Sequence, residues 1–335
     1  MHHLLNIHAP RLPRQRGDDP LLSIHPGAGF VPSSQAARPT TLNSLITQDG
    51  STGYAAEPGR YQLYASQACP WAHRALIARK VLGLERVIGL SLTDPIRDGN
   101  GWRFPASTGG ADHVTGARYL SELYRATDPG YAGQFTIPCL WDTHSQRIVT
   151  NDVVQINVTM ETEFRGFHRP GAPDLYPEEL RPDIDAVSTL IFHAVDTGVY
   201  KAGLATSQAA YEDAFDTLFA TLAALEERLS TRRYLVGGQL TEADVRLFPT
   251  LVRFDAVYHT HFKCNLRRLT DYPNLWSYAR DLYQQPGFGD TTDFGQIKRH
   301  YYQTQDWINP SGIVPKGPYV NWLSPHDRNR LSPRA

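Results

Sequence analysis

The chain has 335 residues, enough for about two domains at the usual ~100–200 residues each. Its net charge of −1 excludes a strongly basic surface for nucleic acid or an anionic membrane. No apolar run approaches the roughly 18 residues that a membrane-spanning helix needs. The three cysteines, Cys69, Cys139 and Cys264, cannot form a disulfide framework and match no zinc motif. We therefore expect a cytoplasmic protein with reduced thiols and no nucleic-acid or membrane partner.

The first predicted elements follow an arm. Residues 1–59 are rich in Pro, Gly, Ser and Arg and show little periodicity, which indicates an extended N-terminal arm. Tyr61 to Ala65 alternates like a strand, and a helix is expected from Cys69-Pro70 to about Leu82, where Gly83 ends it. A second strand is expected over residues 87–92.

A long Gly-rich loop, residues 93–117, interrupts the next part of the chain. A helix is expected over 117–126, then a hairpin with strands over 135–142 and 147–149, and then a helix capped by Asn151 or Asp152. The order β-α-β-α-β-β-α predicts a thioredoxin-like domain over residues 60–160. A loop this long inside such a domain is unusual and often functional.

The second half is predicted to be all-helical, over residues 161–306, followed by a C-terminal tail over 307–335. Apolar residues between Tyr211 and Leu229 recur at helical spacing. Thr241 and Asp244 form a capping box that predicts the start of another helix. The expected fold class is an α/β thioredoxin-like N-terminal domain followed by an all-α C-terminal domain.

Cys69 is the first candidate for chemistry. Proline favours the first position of a helix, so Cys69 is expected to cap the helix that Pro70 begins. Free backbone N–H groups and the helix dipole there favour thiolate over thiol. A lone cysteine is more often an inert buried residue, and we keep that interpretation for Cys139 and Cys264. Ala72 occupies the place of a second redox cysteine, so an external thiol must release any mixed disulfide.

Two further signals support a thiol site. Thioredoxin-like domains place a cis-proline beside the active-site helix, and Ile137-Pro138 is the candidate here; the alternative is a proline on an edge strand. The helical half supplies Tyr200, Tyr258 and the adjacent pair Tyr301-Tyr302, whose phenols can donate a hydrogen bond or a proton. Any one tyrosine alone is more often a packing residue.

Metal binding is not expected. His259, His261 and Cys264 are close in sequence, but the two histidines would lie on different faces of a helix.

Several segments together resemble the glutathionyl-hydroquinone reductases, the Xi class of the glutathione transferase superfamily. The matching segments are Cys69–Arg74, Gly101–Phe104, Thr136–Asp142, Gly198–Lys201, Arg253–Tyr258, His261–Asn265 and Ile308–Pro318. The resemblance implies a glutathione S-transferase fold, a homodimer and no tightly bound cofactor. It also implies that a thiolate at Cys69 removes glutathione from a hydroquinone thioether and leaves a mixed disulfide, which a second thiol resolves.

The resemblance also assigns the site residues. Catalytic roles are expected for Cys69, Tyr200 and Tyr301; substrate binding for Tyr258, Trp102, Pro70 and Trp71; and thiol binding for Ile137, Pro138, Gln134, Asp152 and Val153. Trp102 matches a residue that closes over the thiol.

Two departures from the family concern the thiol. Gln134 stands where the family usually has Arg, and Asp152-Val153 stands where it has Glu-Ser. Those groups would bind the charged γ-glutamyl end of glutathione. Their replacement leads to the hypothesis that the natural thiol is a different small thiol, such as mycothiol.

Two alternatives to the reductase stay open. A broader cysteine-type transferase, reducing dehydroascorbate or small disulfides, would need only Cys69 and Pro138. A non-catalytic binding protein on the same fold would have a Cys69 of ordinary thiol reactivity.

Overall fold

The structure, a computed structural model, describes residues 42–332. The expected N-terminal arm therefore lies mostly outside the described residues, as do the last residues of the tail. Within them, Leu42 and Ser44 attach to the sheet: the Leu42 N–H donates to Asn151 Oδ1 at 2.9 Å, and the Ser44 N–H donates to the Val149 carbonyl at 3.0 Å. This part of the chain thus lies along the edge of the sheet.

The first half of the described chain contains six strands, four in a main mixed sheet and two in a separate hairpin. The strands are β1 Tyr61–Ala65, β2 Ile88–Leu92, β3 Arg97–Asp98, β4 Gly101–Trp102, β5 Cys139–Asp142 and β6 Arg147–Thr150. The main sheet has the order β2-β1-β5-β6, with β1 parallel to β2 and the other neighbours antiparallel. This topology confirms the thioredoxin-like fold class.

Helices account for the rest. They are α1 Pro70–Val81, α2 Leu120–Thr127, α3 Val153–Thr162, α4 Arg181–Ile191, α5 Gly198–Gly203, α6 Gln208–Leu229, α7 Glu242–Arg253, α8 Pro273–Tyr283 and α9 Phe294–Thr304. Wide π-helical turns follow α4 and α7, over Phe192–Asp196 and Phe254–Tyr258. The all-helical second half is confirmed. No helix within residues 42–332 is long and apolar enough to cross a membrane.

Helix α2 begins later than its sequence predicts. Tyr119 is still extended, with φ −128°, and the Glu122 carboxylate accepts hydrogen bonds from the N–H groups of Arg118 and Tyr119 at 3.0 and 2.8 Å. Because Glu122 caps the helix from its first turn, α2 begins at Leu120 and not at residue 117.

The long loop is an ordered substructure. It contains the β3–β4 hairpin, and the buried carboxylate of Asp112 anchors it to the sheet. Asp112 accepts hydrogen bonds from Tyr64 at 2.7 Å, Ser91 at 2.5 Å and the Thr115 N–H at 2.9 Å. These bonds to the charged form hold the pKa of Asp112 below its usual value against the effect of burial.

Helix α1 joins the two halves. It packs against α3 on one side and α7 on the other. The Arg74 guanidinium, on α1, pairs with Asp196 at 2.5 Å, and both side chains are buried. Because removing one partner of a buried ion pair leaves an uncompensated charge, this pair favours a fixed arrangement of the halves.

The start of α7 follows its predicted capping box. The buried Asp244 carboxylate accepts hydrogen bonds from the Thr241 N–H at 2.9 Å and the Leu235 N–H at 3.0 Å, and from the Tyr278 hydroxyl at 2.7 Å. One side chain therefore connects the helix start to the preceding loop and to α8.

Replacing Asp244 with Ala is expected to lower the free energy of unfolding by about 3 kcal/mol or more. Four buried donors, those three and the Thr241 hydroxyl at 3.2 Å, would lose their acceptor, at about 1–3 kcal/mol each before relaxation. Denaturant unfolding followed by circular dichroism measures the change, with Asp213→Ala on α6 as a surface control. A loss below 1 kcal/mol would contradict this account of Asp244.

Candidate active site

Cys69 caps α1, as its sequence predicts. Its backbone is extended, with φ −82° and ψ 123°, and Pro70 follows as the first helical residue. The thiol is 7% exposed, and its sulfur lies 3.9 Å from the Ile137 carbonyl oxygen. The Ile137–Pro138 peptide is cis, which confirms the sequence expectation. The cysteine and the cis-proline therefore lie side by side.

The electrostatics of Cys69 correct one expectation. Burial raises the pKa of the Cys69 thiol, and it outweighs the opposing effects of the N–H groups of Ala72 and Trp71 and the charges of Arg253 and Arg97. The sequence correctly places the helix N-terminus under the sulfur. The expected net preference for thiolate is wrong for this buried position, because desolvation disfavours the charged form.

Three tyrosine hydroxyls from three segments meet beside the cysteine. Tyr301 lies at the centre of this tyrosine cluster, hydrogen-bonded to the Tyr200 hydroxyl and, at 2.9 Å, to the Tyr258 hydroxyl. Burial raises the pKa of all three, and the charge of Cys69 raises the pKa of Tyr200 and Tyr301 further. The cluster is thus a set of neutral phenols that can donate protons.

Aromatic rings surround this chemistry. Trp71, beside Cys69, stacks on Tyr200 with ring centroids 6.2 Å apart. Trp102, on β4, is 4% exposed. Its ring stacks on the His300 ring of α9, with centroids 5.2 Å apart, and the Arg97 guanidinium lies 5.2 Å from the centroid of the Trp102 ring. The predicted long loop thus contacts the helix that carries Tyr301.

The residues expected to bind the thiol lie at two places. Gln134 is exposed, and its carbonyl accepts a hydrogen bond from Tyr131 at 3.1 Å. Asp152 caps α3 by accepting from the N–H groups of Val154 and Gln155 at 2.9 and 3.0 Å, while Val153 is the first helical residue. The Asp152 carboxylate is therefore bound to its own helix.

Sequence reasoning assigned no roles to Arg253 and His73. Arg253 is fully buried and donates hydrogen bonds to the Gln67 carbonyl at 2.9 Å and the Ala68 carbonyl at 3.3 Å, directly before Cys69. It also donates to His73 Nδ1 at 3.0 Å. A charged residue within the apolar pattern of α7 was the available signal.

No cluster of three or more His, Cys, Asp or Glu within the described residues could hold a metal ion. His261 Nε2 instead lies 2.8 Å from the Gln305 side-chain oxygen, and Cys264 is buried.

A thioredoxin-like sheet followed by an all-helical second half defines the glutathione transferase fold. The family described as "Glutathione S-transferase, C-terminal domain" matches residues 208–281. The chain is 46% identical over 306 residues to the glutathionyl-hydroquinone reductase YqjG of Escherichia coli, covering 90% of this chain and 93% of the relative. It is 48% identical to the glutathionyl-hydroquinone reductase PcpF of Sphingobium chlorophenolicum, covering 79% and 85%.

Solved structures agree with these relatives. The glutathione-bound structure of YqjG matches with a TM-score of 0.82 and 45% identity, covering 86% of this chain and 96% of that one. A Xi-class transferase from Natrialba magadii matches with a TM-score of 0.85 and 42% identity, covering 87% and 92%. The chain belongs to the Xi class of glutathione transferases, the family of the glutathionyl-hydroquinone reductases.

Proposed function

We propose that this protein is a thiol-dependent reductase that removes glutathione, or a related thiol such as mycothiol, from thiyl-hydroquinone conjugates. The observation that carries the proposal is the tyrosine cluster beside a single cap cysteine. Simple disulfide exchange needs only the sulfur, whereas cleaving a carbon–sulfur bond also requires a proton donor for the departing carbon group. Family membership alongside YqjG and PcpF supports the same activity.

The first half-reaction forms a mixed disulfide at Cys69. The thiolate attacks the sulfur of the conjugate in its keto form, so an S–S bond forms and the carbon–sulfur bond breaks. The electron pair of that bond moves to the organic fragment as an enolate, and a proton from Tyr301 or Tyr200 completes the hydroquinone. The raised pKa of both phenols keeps the proton in place until the enolate develops.

The second half-reaction restores the enzyme. A second thiolate attacks the thiol-derived sulfur of the mixed disulfide, releases a small-molecule disulfide and regenerates Cys69. Ala72 cannot resolve the disulfide internally, which makes the external thiol a co-substrate. The balance is conjugate plus thiol to hydroquinone plus disulfide.

We assign binding roles to the surroundings of Cys69. The backbone of Ile137, before cis-Pro138, pairs with the backbone of the bound thiol. Trp71, next to Pro70, and Tyr258 form an aromatic wall for the quinol ring, and Trp102 closes over the thiol.

Steady-state turnover tests this function. Hydroquinone released from glutathionyl- and mycothiyl-hydroquinone is measured with the matching free thiol, alongside dehydroascorbate and a small mixed disulfide as alternative substrates. The reductase proposal expects a conjugate to have the highest kcat/KM. Faster turnover of dehydroascorbate or the disulfide favours the broader transferase, and no turnover of any substrate favours the non-catalytic alternative.

The identity of the thiol depends on the N-terminus of α3. Asp152 caps its own helix, and Val153 offers no hydroxyl to a γ-glutamyl group. We therefore propose that glutathione binds weakly and that a thiol without this group, such as mycothiol, is the natural co-substrate.

Replacing Val153 with Ser is expected to lower the KM for glutathione about tenfold. The added hydroxyl supplies one hydrogen bond to a charged group, worth about 1.5–3 kcal/mol. Val154→Ser, one position along and 40% exposed, is the matched control. An unchanged KM in Val153→Ser, or an equal decrease in both variants, contradicts the assignment.

We also propose a homodimeric assembly in the cytoplasm. Light scattering after size-exclusion chromatography tests the dimer: a mass near 75 kDa is expected from the 37.6 kDa chain, and a mass near that of one chain contradicts it. Fractionation of the source cells tests the location.

A further inference from the structure

Arg253 is a buried cation with no carboxylate partner among the described residues. None of the ion pairs found within residues 42–332 includes it. Two other buried arginines near the join of the halves do have partners: Arg74 pairs with Asp196 and Arg246 pairs with Glu242. Arg253 instead donates to backbone carbonyls, as the equally buried Arg328 does, but the carbonyls bound by Arg253 lie directly before Cys69.

The hydrogen bonds of Arg253 all go to neutral acceptors. Its Nε and one terminal nitrogen donate to the Ala68 carbonyl at 3.4 and 3.3 Å, and the same terminal nitrogen donates to the Gln67 carbonyl at 2.9 Å. The other terminal nitrogen donates to the Pro249 carbonyl at 2.9 Å and to His73 Nδ1 at 3.0 Å. All these acceptors are neutral, so the donors are satisfied while the charge is not compensated.

His73 takes part in the same set of contacts, as the acceptor of a hydrogen bond from Arg253. Its Nδ1 accepts from Arg253, which places the ring proton on Nε2, where it donates to Thr291 Oγ1 at 3.0 Å. Burial and the charge of Arg253 lower the pKa of His73 well below its usual value. His73 therefore does not act as the base for Cys69, although it lies one helical turn away.

The Cys69 thiolate is one candidate anion for Arg253, whose charge also opposes the effect of burial on the pKa of Tyr258 and Tyr301. Arg253 holds the two carbonyls directly before Cys69, and its charge opposes the effect of burial on the pKa of that thiol. Two cations, Arg253 on α7 and Arg97 in the long loop, lower the pKa of Cys69. The charge of Cys69 in turn raises the pKa of Tyr200 on α5 and of Tyr301 on α9. The other cation, Arg97, is on an exposed hairpin.

We propose that Arg253 is the positioning residue and counter-ion of the Cys69 thiolate: it fixes the Gln67–Ala68 turn that presents the sulfur and supplies the buried charge that favours its ionised form. This inference rests on the proposed function, in which Cys69 is the nucleophile.

The test is the rate of Cys69 alkylation by iodoacetamide as a function of pH, with the modified cysteine identified by intact and peptide mass. The midpoint for the wild-type chain should lie above the ordinary thiol value of about 8.5, because burial raises this pKa. Below the midpoint the rate falls as the thiol takes up its proton. Removing an opposite charge that acts on the thiol is expected to raise the midpoint by about 1–2 units in Arg253→Met.

Two variants separate charge from scaffolding. Arg253→Lys keeps the charge and loses the fork of donors, so its midpoint should stay within about half a unit of the wild type. Arg328→Met is the matched control. Arg328 is also fully buried and also donates to backbone carbonyls, but these belong to Leu229 and Arg233, which are far from Cys69 in the sequence. That control should lower stability and leave the midpoint unchanged.

Each outcome decides the proposal. A folded Arg253→Met with the wild-type midpoint overturns it, as do equal upward shifts in the Met and Lys variants. If Arg253→Met does not fold, a rise of more than about one unit in Arg253→Lys overturns it, and a smaller change supports it. Alkylation needs no quinone, so a shifted midpoint with no hydroquinone release would preserve this role of Arg253 while removing the reductase proposal.

Discussion

Replacing Cys69 with Ser should abolish hydroquinone release, lowering kcat/KM by about 10³-fold or more. Removal of a covalent nucleophile has effects of this order or larger, and a serine oxygen cannot form the mixed disulfide on which the cycle depends. The loss should appear with every conjugate tested, because the substitution removes the nucleophilic thiol of Cys69 and leaves the aromatic wall for the quinol ring in place. Product release followed by chromatography measures it.

Cys264→Ala is the control for the loss of a thiol elsewhere. Cys264 is buried, and burial raises its pKa to about 12, which keeps it an inert thiol. Its variant should retain activity within about threefold. Substantial turnover by Cys69→Ser would assign the nucleophile to another residue and contradict the mechanism.

Replacing Tyr301 with Phe should lower kcat for glutathionyl-hydroquinone by about 10²-fold or more, the usual contribution of a positioned general acid. Tyr301 connects the hydroxyls of Tyr200 and Tyr258, so its removal breaks both contacts while the ring still packs. The kcat for reduction of a small mixed disulfide should change little, because the leaving atom in that reaction is sulfur and not carbon.

The adjacent Tyr302→Phe is the matched control. The Tyr302 hydroxyl makes one long hydrogen bond, 3.3 Å to the Ala256 carbonyl, outside the cluster. Its variant should keep kcat within a few-fold. A Tyr301→Phe variant that keeps wild-type turnover of both conjugates and disulfides would favour the broader transferase, which needs only Cys69 and Pro138, over the reductase.

Local signals predicted much of this architecture. Cys69-Pro70 specified a capped helix, and Thr241 with Asp244 specified another, because capping depends on residues a few positions apart. The cis peptide at Ile137–Pro138 was likewise expected from its place in the strand order. Such features can be predicted without knowing how distant parts of the sequence pack together.

The features that were missed depend on long-range packing. Nothing near Arg253 in sequence indicates that it reaches the carbonyls before Cys69, across more than 180 positions. The stacking of Trp102 on His300, which ties the long loop to α9, is equally non-local. The raised pKa of Cys69 was missed for the same reason, since burial by distant elements overcame a local dipole.

The most direct test of the central claim is single-turnover exposure of the full chain to glutathionyl- or mycothiyl-hydroquinone, without free thiol, followed by intact mass. We predict one thiol adduct on Cys69, matched by one equivalent of free hydroquinone and absent from Cys69→Ser. The conjugate that reacts faster identifies the thiol. An unmodified wild-type chain with both conjugates, or hydroquinone release without an adduct, would contradict a mixed disulfide at Cys69.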